Sequence, residues 1–204
     1  MIRILLVDDH LAVRLGVSTM INDQSDMKVV AEAANGATAV ELFFELKPDV
    51  VLLDLRMPGM TGLDVLREIL AKSSNPKVIV LSTHDREEDI YQSLEAGAVG
   101  YLLKDMRRED LLEAIRKVHS GEHWISPAAA ARLAERVHHQ PLTPRESEIL
   151  VLIVGGKSNK EIASALCVSE DTIKWHMKSL FTKLSVADRT QAAVTAIQRG
   201  LIQV

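Results

Sequence analysis

Carboxylates follow two short apolar segments of this chain. Residues 4–7 (Ile-Leu-Leu-Val) run into Asp8 and Asp9, and residues 50–53 (Val-Val-Leu-Leu) run into Asp54. Such segments are typical of buried parallel strands, and open α/β sheets bind their ligands at the carboxyl ends of those strands. Because three clustered carboxylates repel one another, we expect a hard divalent cation to bind them. The alternative is that one aspartate caps the following helix and the others are solvated loop residues.

A hydroxyl and a lysine are predicted at the same edge of the sheet. Ser82 and Thr83 follow one later apolar segment, and Lys104 follows the next. Together with the aspartates they form a set suited to phosphoryl transfer, in which Mg²⁺ held by Asp9 and Asp54 neutralises phosphate oxygens. Asp54 attacks phosphorus as a carboxylate nucleophile, Lys104 holds one phosphoryl oxygen, and Ser82 donates a hydrogen bond to the same group.

The elements that would position these residues alternate regularly along the first part of the chain. Apolar segments predict strands at 2–7, 27–33, 49–53, 77–81 and 99–103. Amphipathic stretches between them predict helices near 11–22, 36–46, 62–72, 85–96 and 107–119. This (βα)₅ pattern favours an α/β fold with right-handed crossovers and helices on both faces of a parallel sheet. The flavodoxin-like strand order 2-1-3-4-5 is the expected solution.

The pattern changes after Gly121, where we find no convincing strand. Capping residues instead predict helices that begin after Ser126, Thr143, Ser158, Ser169 and Asp188. The carboxy-terminal part is therefore predicted to be a small all-α domain. We expect domains at 1–120 and 141–204, joined by a linker over 121–140 that contains a helix. His138 and His139 are interpreted as solvated linker residues rather than a metal-ligand pair.

Charge is distributed unevenly over the 204 residues. The chain carries 24 Lys and Arg against 28 Asp and Glu, a net charge of −4. Residues 1–122 hold 14 basic and 21 acidic side chains, whereas residues 143–204 hold 8 and 6. This acidic front and mildly basic back indicate two modules with different partners, and the second partner is predicted to be a polyanion.

Composition also excludes several classes of protein. A single cysteine, Cys167, excludes an internal disulfide and a cysteine-rich zinc site, and we interpret it as a small buried hydrophobe. No apolar run approaches the length of a membrane span, and the amino terminus lacks the pattern of a secretory signal. We therefore expect a cytoplasmic protein without a membrane partner.

One predicted helix of the second domain has two chemically different faces. Apolar residues recur at helical spacing, namely Ile173, Met177, Leu180 and Leu184. The other face presents Lys174, Trp175, Lys178 and Thr182. A helix with an apolar back and a basic front, preceded by a helix and a short turn at 166–169, suits the major groove of DNA. The same pattern is also common among helices at protein surfaces.

Four motifs in the first domain resemble, in order, those of the receiver domain of two-component response regulators. They are Val7-Asp8-Asp9-His10, Leu53-Asp54-Leu55-Arg56-Met57-Pro58-Gly59, Leu81-Ser82-Thr83 and Gly100-Tyr101-Leu102-Leu103-Lys104. The match spans nearly all of residues 1–120, and four ordered motifs are far more specific than any one of them. The resemblance implies phosphorylation by a partner histidine kinase.

The resemblance also implies a role for each acidic residue. Asp54 is the implied phosphoacceptor, and Asp9 is the implied direct ligand of Mg²⁺. Asp8 would support the ion through water, and the backbone carbonyl of Arg56 would be a further ligand.

Ser82 and Tyr101 match the hydroxyl and aromatic switch positions of the family. Ser82 replaces the commoner threonine but keeps the hydroxyl, whereas Tyr101 has an alternative role as an ordinary strand aromatic. Asp105 stands where many receivers have proline. Arg56 and His84 are placed to overhang the phosphoryl group and tune its lifetime, and the alternative is that both are solvated residues at the rim.

The second domain resembles a LuxR-type helix-turn-helix domain over residues 141–203. The motifs are Leu142-Thr143-Pro144-Arg145-Glu146, Gly156-Lys157-Ser158-Asn159-Lys160-Glu161-Ile162-Ala163, Val168-Ser169-Glu170-Asp171-Thr172-Ile173-Lys174, Lys183-Leu184 and Arg189-Thr190-Gln191-Ala192. Joined to a receiver, this domain resembles a NarL/FixJ-type transcriptional regulator. The resemblance implies binding to double-stranded DNA as a homodimer in the active state.

Individual contacts are implied in the same way. Residues expected near base edges are Lys174, Trp175 and Lys178. Candidate phosphate contacts are His176, Lys160 and Thr172. The last helix is the implied dimer face, through Ala192, Ala193, Ala196 and Ile197.

Three other interpretations of the sequence are less well supported. Phosphatases of the haloacid-dehalogenase type carry an Asp-x-Asp motif, in which the first aspartate is the nucleophile and the second acts as acid and base. Arg56 stands at the second position here, so no general acid is evident. We therefore predict that the protein is not an enzyme. A phosphate-binding loop at Gly156-Lys157-Ser158 fails because Val151 stands where that pattern requires glycine. A regulator that never uses phosphate is disfavoured by the complete set of acid, hydroxyl and lysine.

Overall fold

The computed structural model describes residues 1–83, 86–136 and 141–202. The chain divides into two compact units, which are described separately. The first unit contains the described residues up to Ala131 apart from 86–88, and the second contains residues 86–88 and those from Arg132 onwards.

The first unit is built on a parallel sheet with helices between its strands. Its strands are β1 (Ile2–Val7), β2 (Met27–Ala33), β3 (Val50–Asp54), β4 (Val78–Ser82), β5 (Gly100–Leu103) and β6 (Trp124–Ile125). The helices that alternate with them are α1 (Leu11–Asn22), α2 (Gly36–Leu46), α3 (Gly62–Lys72), α4 (Glu87–Glu95) and α5 (Arg108–Ser120). The strand order is β2-β1-β3-β4-β5-β6, and every pair is parallel. The predicted fold class and the order 2-1-3-4-5 are confirmed.

The central strands are aliphatic because helices cover both faces of the sheet. Every residue of β3 and of β4 is buried, including the polar residues that end them, Asp54 and Ser82. β1 lies beside β3 with Val7 opposite Leu53, so the residues that follow Val7 lie next to Asp54. The sheet therefore brings the two acidic strand ends together.

The prediction that no strand follows Gly121 was wrong. Trp124 and Ile125 form a sixth strand, in which the backbone N–H groups of Trp124 and Ser126 donate to the carbonyls of Val99 and Tyr101, each at 3.0 Å. Two residues are too few to show an apolar period, so the sequence carries no recognisable signal for this edge strand.

Among the described residues of the second unit, the regular elements are all helices, and they begin at the predicted caps. They are α7 (Pro144–Val154), α8 (Asn159–Ala165), α9 (Glu170–Leu184) and α10 (Arg189–Gln198), and α6 (Pro127–Arg136) precedes them. Thr143 and Ser158 form capping boxes with the glutamate three residues later, and Ser169 and Asp188 accept a hydrogen bond from the third residue of α9 and α10. These caps satisfy backbone donors that the first turn of each helix leaves unpaired.

One apolar core holds these four helices together. It contains Ile149, Leu150, Ile153, Ile162, Ala163, Ile173, Met177, Leu180, Leu184, Ala192 and Ala196. The predicted stripe on α9 lies wholly within it. None of the helices in the described part of the chain is long and apolar enough to cross a membrane.

Gly62 allows α3 to begin directly against the end of β3. A Cβ atom at this position would lie 2.0 Å from the carbonyl oxygen of Asp54 and 2.7 Å from the Cα of Leu55, both backbone atoms that cannot rotate away. The Gly62 N–H also donates to the Leu55 carbonyl at 3.0 Å. The absence of a side chain at Gly62 therefore helps to fix the position of Asp54.

We expect Gly62→Ala to destabilise the first unit by roughly 1–3 kcal/mol, because the added methyl group displaces the backbone of Asp54 and Leu55. Gly16→Ala is the control, since a Cβ at Gly16 meets nothing within 4 Å and α1 gains up to about 1 kcal/mol of helix propensity. Urea unfolding followed by NMR signals of the sheet measures both changes. Equal stability of the two variants would contradict this account of Gly62.

Candidate functional site

The carboxyl ends of β1 and β3 form an acidic cluster. Asp8, Asp9, His10 and Asp54 each place one potential ligand atom within 4.8 Å of the others. The side chains of Asp8 and Asp54 are 0% and 2% exposed, and that of Asp9 is 25% exposed. The structure thus brings together the three carboxylates that the sequence analysis predicted at this edge, with Asp9 nearest the solvent.

Lys104 is the cation of this cluster. Its Nζ lies 2.7 Å from Asp8 Oδ2 and 2.8 Å from Asp54 Oδ2, and the side chain is almost buried. Its backbone N–H donates to the carbonyl of Ser82 at 2.7 Å, which fixes the end of β5 against the end of β4. One ammonium group therefore contacts two buried carboxylates at once.

Burial and ion pairing shift the pKa values of Asp54 and Lys104. Burial raises the pKa of Asp54, while the Lys104 ammonium and the Arg56 N–H act in the opposite direction. Burial alone would lower the pKa of Lys104, but its hydrogen bonds with Asp54 and Asp8 outweigh burial and raise that pKa. Lys104 therefore stays an ammonium ion at neutral pH.

Backbone groups hold the carboxylates in place. The N–H of His10 donates to Asp8 Oδ1 at 2.9 Å, and the guanidinium of Arg14 donates to the Asp8 carbonyl at 2.7 Å. On the other strand, the N–H of Arg56 donates to Asp54 Oδ1 at 3.2 Å. The two aspartates are therefore oriented by the loops that follow them as well as by Lys104.

Two residues of this site were missed by the sequence analysis. His10 Nδ1 lies 2.7 Å from Asp9 Oδ1, although no role was assigned to His10. Its position directly after the acid pair is the signal that was available. Arg14 lies one helical turn further on, but no sequence signal shows that its guanidinium returns to Asp8.

The donor set fits a hard divalent cation. Carboxylate oxygens are the ligands that Mg²⁺ prefers, and the partly exposed carboxylate of Asp9 lies beside two buried ones. Asp8 and Asp54 already share a single ammonium group, so the cluster keeps a surplus of negative charge. A cation at the Asp9 side would reduce that surplus.

The two predicted switch residues are buried in the sheet near this site. Ser82 ends β4, and Tyr101 lies in β5 opposite Val80; both are fully buried. Ser82 is therefore at the same edge as Asp54, whereas Tyr101 lies within the strand that leads to Lys104. The predicted overhanging residue His84 lies outside the described residues, as do His138 and His139.

The second candidate site is the pair α8 and α9 with the turn between them. In that turn Cys167 has a φ of +53° and is exposed, so its interpretation as a buried small hydrophobe was wrong. Cys167 therefore joins the two helices in a left-handed conformation, which glycine adopts with the least strain. Arg145 of α7 donates to the Leu166 carbonyl at 3.0 Å and fixes the turn to the core.

The outer face of α9 presents the predicted base contacts. Lys174 and Lys178 are exposed, and Trp175 is 68% exposed, which is unusual for an indole on a folded domain. Trp175 contacts the ring of His176 edge to face, with centroids 4.8 Å apart. Lys174 Nζ lies 2.8 Å from Asp171 Oδ1, and because both side chains are exposed, this ion pair holds Lys174 only weakly.

The predicted phosphate contacts are placed less uniformly. Lys160 is exposed on α8, whereas Thr172 and His176 of α9 are partly buried. The Thr172 hydroxyl lies 2.9 Å from the Ser169 hydroxyl and so belongs to the amino-terminal cap of α9. Of these three residues, Lys160 is therefore the most accessible to a ligand.

The predicted dimer face on α10 needs correction at two residues. Ala192 and Ala196 are fully buried in the core of their own unit and cannot contact another copy. Ala193 and Ile197 are partly buried, while Gln191, Val194 and Gln198 are exposed. A four-residue spacing that suits a dimer face equally suits an intramolecular core, which is why the sequence pattern did not separate the two.

A buried ion pair anchors α9 to α7. Glu146 is 3% exposed, and its carboxylate lies 2.7 Å from Lys183 Nζ and accepts a hydrogen bond from the Ser179 hydroxyl at 2.7 Å. It also accepts from the N–H of Thr143 at 2.8 Å. In the sequence, Glu146 is recognisable only as a member of a capping box, and no signal assigns a role to Ser179.

These contacts determine the ionisation of Glu146. Burial alone would raise its pKa, but the hydrogen bonds from Lys183, the Thr143 backbone and Ser179 lower the pKa from the ordinary 4.5 to about 2. A lowered folded-state pKa stabilises the fold above pH 4.5, and this stabilisation is lost as the pH falls towards 2.

We expect Glu146→Gln to destabilise the second unit by roughly 1–3 kcal/mol at pH 7, because Lys183 loses its buried partner. The difference from the wild type should shrink as the pH falls below 4.5. Urea unfolding followed by NMR signals of α9 measures it at each pH. Glu148→Gln is the control, since Glu148 is exposed and pairs only with Arg145 among the described contacts. A pH-independent difference for Glu146→Gln would refute the role of its charge.

Comparisons with known proteins match a different family to each of the two units. Residues 4–116 match the family described as the response regulator receiver domain, and residues 140–196 match the LuxR family of bacterial regulatory proteins. The chain is similar to the transcriptional regulatory protein LiaR of Bacillus subtilis, with 41% identity over 99% of this chain and 100% of that protein. It is 40% identical to the response regulator protein VraR of Staphylococcus aureus over 99% of both chains.

Solved structures show the same likeness. RcsB from Salmonella enterica serovar Typhimurium, bound to promoter P1flhDC in the presence of phosphomimetic BeF₃⁻, is 25% identical with a TM-score of 0.77. That match covers 95% of this chain and 97% of RcsB. The receiver and LuxR matches lie on the two units that carry the acidic cluster and the exposed face of α9. The chain therefore belongs to the two-component response regulators and is a DNA-binding transcriptional regulator with a receiver domain and a LuxR-type helix-turn-helix domain.

Proposed function

We propose that a histidine kinase phosphorylates this response regulator on Asp54 and that phosphorylation switches its sequence-specific binding to DNA. The observation that carries the proposal is the contact of one buried ammonium, Lys104, with both Asp54 and Asp8. A buried carboxylate beside a fixed cation, at the ligand-binding edge of a parallel sheet, is suited to receive a phosphoryl group.

The transfer itself requires little chemistry from the protein beyond positioning. A carboxylate oxygen of Asp54 forms a bond to the phosphorus of phosphohistidine as the P–N bond breaks, and the imidazole nitrogen keeps the electron pair. Lys104 is placed to hold one phosphoryl oxygen, because its Nζ already contacts Asp54 Oδ2 at 2.8 Å.

We propose Mg²⁺ as the cofactor, held directly by Asp9 and Asp54 and by the Arg56 carbonyl, with Asp8 supporting it through water. When bound, the ion supplies positive charge that offsets the charge of the incoming phosphoryl oxygens. The surplus of carboxylates over ammonium groups in the cluster supports this assignment, as does the exposure of Asp9.

Ser82 and Tyr101 are the proposed switch residues. The acyl phosphate carries about two negative charges where the carboxylate carried one. The hydroxyl of Ser82 would donate to the phosphoryl group, and Tyr101 would favour a second arrangement of the face that contains α4. Phosphorylation would thereby shift an equilibrium that exists before it.

Binding to double-stranded DNA is proposed through α9. The exposure of Lys174, Trp175 and Lys178 on one face supports contact with base edges in the major groove, while Lys160 supports a phosphate contact. Thr172 and His176 remain candidate phosphate contacts. We propose a homodimer that binds two half-sites in the active state, with the exposed side of α10 in the interface, and a cytoplasmic location.

An aspartate-nucleophile phosphatase is the weaker alternative. Arg56 stands where the general acid would be needed, and its guanidinium, 2.9 Å from Asp89, offers no carboxylic acid group there. A regulator that works without phosphate is disfavoured because the buried Asp54 and Lys104 would then have no function to retain them.

We expect Asp54→Asn to abolish the increase in operator binding that acetyl phosphate and Mg²⁺ produce, because the amide is not a nucleophile. Operator affinity with and without acetyl phosphate measures the effect. Glu68→Gln on α3 is the matched control, since it also removes one negative charge but from an exposed ion pair with Lys72. Full stimulation of Asp54→Asn would refute the proposed mechanism.

We expect Lys178→Ala to weaken operator binding by about 1–3 kcal/mol if Lys178 contacts a base, with relaxed specificity at one position. A phosphate contact would instead weaken binding equally on all sequences and reduce the salt dependence. Titrations with operator and unrelated DNA at several salt concentrations separate the two. Lys28→Ala, an exposed lysine of β2, is the control, and equal losses in both variants would contradict a specific role for α9.

A further inference from the structure

We propose that Asp89 is a positioning residue that holds the Arg56 guanidinium on α4 and that the phosphoryl group on Asp54 competes with Asp89 for this guanidinium. The inference rests on the proposed function, because it takes Asp54 as the phosphoacceptor. It adds a specific competition between two acceptors, one fixed in helix α4 and one created by phosphorylation.

Arg56 connects Asp54 to α4 through its two ends. Its backbone N–H donates to Asp54 Oδ1 at 3.2 Å, so its main chain is fixed beside the phosphoacceptor. Its Nη2 lies 2.9 Å from Asp89 Oδ2, 33 residues further along the chain. A single residue therefore contacts both the carboxylate that would change charge and the helix proposed to respond.

Asp89 is rigidly attached to α4. It lies in the first turn, its side chain is 11% exposed, and its carbonyl accepts a hydrogen bond from the Ser93 hydroxyl at 2.6 Å. Ile90 and Ser93 on the same helix are fully buried. The Asp89 carboxylate therefore has little freedom to follow the guanidinium. When the pair separates, α4 loses its contact with Arg56.

The charge balance favours exchange of partners after phosphorylation. Lys104 is already shared by Asp8 and Asp54, so its single positive charge does not balance the two carboxylates even before the charge at Asp54 increases. The acyl phosphate carries about two negative charges, and guanidinium binds phosphate oxygens through two parallel hydrogen bonds. The backbone of Arg56 lies beside Asp54, and its guanidinium is at present paired with Asp89, which carries only one negative charge.

The competition has a thermodynamic consequence. A phosphoryl group that recruits Arg56 must first break the pair with Asp89, so Asp89 opposes occupancy of the site in proportion to the strength of that pair. Loss of the Asp89 charge should therefore tighten the binding of a phosphoryl analogue, and it should do so only while Arg56 is present. A double-mutant cycle isolates this coupling.

The test is a titration of the full chain with beryllofluoride in the presence of Mg²⁺, followed by NMR signals of the first unit. We expect Asp89→Asn to lower the apparent Kd by roughly two- to fivefold, in line with a partly exposed ion pair. Arg56→Gln should raise the apparent Kd, and Asp89→Asn should have no further effect in the Arg56→Gln background. In the wild type, the amide signals of Tyr91 and Ser93 should shift on binding, because α4 loses its contact with Arg56.

Controls separate this proposal from a general effect of charge or of folding. Glu95→Gln removes one negative charge from the same helix, where Glu95 accepts from the Tyr91 hydroxyl, and should leave the apparent Kd unchanged. Arg56→Lys keeps the cation and should retain part of the Asp89 effect.

Equal tightening by Asp89→Asn with and without Arg56 would overturn the proposed competition, as would no tightening at all in a folded variant. Failure of the wild type to bind beryllofluoride, or binding that survives Asp54→Asn, would instead overturn the proposed function. The two failures are therefore distinguishable.

Discussion

The contact of Lys104 with Asp8 and Asp54 is the interaction on which the proposed function of the first unit depends. Three carboxylates at the end of two neighbouring strands would repel one another in a buried place, and one ammonium group offsets that repulsion without cancelling it. The remaining negative charge suits a divalent cation, and the fixed ammonium suits a phosphoryl oxygen. Lys104 follows β5 and contacts both Asp8, which follows β1, and Asp54, which ends β3. A change of charge at Asp54 therefore acts on the ends of three strands.

A buried ion pair has a comparable role in the second unit but a different purpose. Glu146 and Lys183 join the start of α7 to the end of α9, with Ser179 and the Thr143 backbone completing the hydrogen bonds of the carboxylate. This pair orients α9 so that its apolar stripe faces the core and Lys174, Trp175 and Lys178 face outwards. In the first unit, the contacts of Lys104 leave negative charge that is available to a ligand. In the second unit, the charge of Glu146 is balanced within the unit, and the pair serves to position α9.

The sequence predicted the elements better than the contacts between them. The five helices and five strands of the first unit follow from the alternation of apolar and amphipathic segments, and the helix starts of the second follow from local capping chemistry. The two-residue strand β6 and the exposure of Cys167 were not predicted, since neither produces a periodic signal. The contact of Arg56 with Asp89 joins residues 33 positions apart, and that of Arg14 with Asp8 depends on the path of the loop between β1 and α1, so only the packed structure reveals them. Ala192 and Ala196 show the converse limit, because small apolar residues at helical spacing suit a core and an interface equally.

The central claim is that Asp54 is the residue that receives the phosphoryl group, and chemical trapping tests it most directly. Incubation with acetyl phosphate and Mg²⁺, followed by borohydride reduction and mass spectrometry of peptides, converts an aspartyl phosphate to homoserine at the modified position. We predict homoserine at residue 54, and its loss when Mg²⁺ is removed by a chelator. Homoserine at another aspartate, or none in the folded protein, would contradict the account.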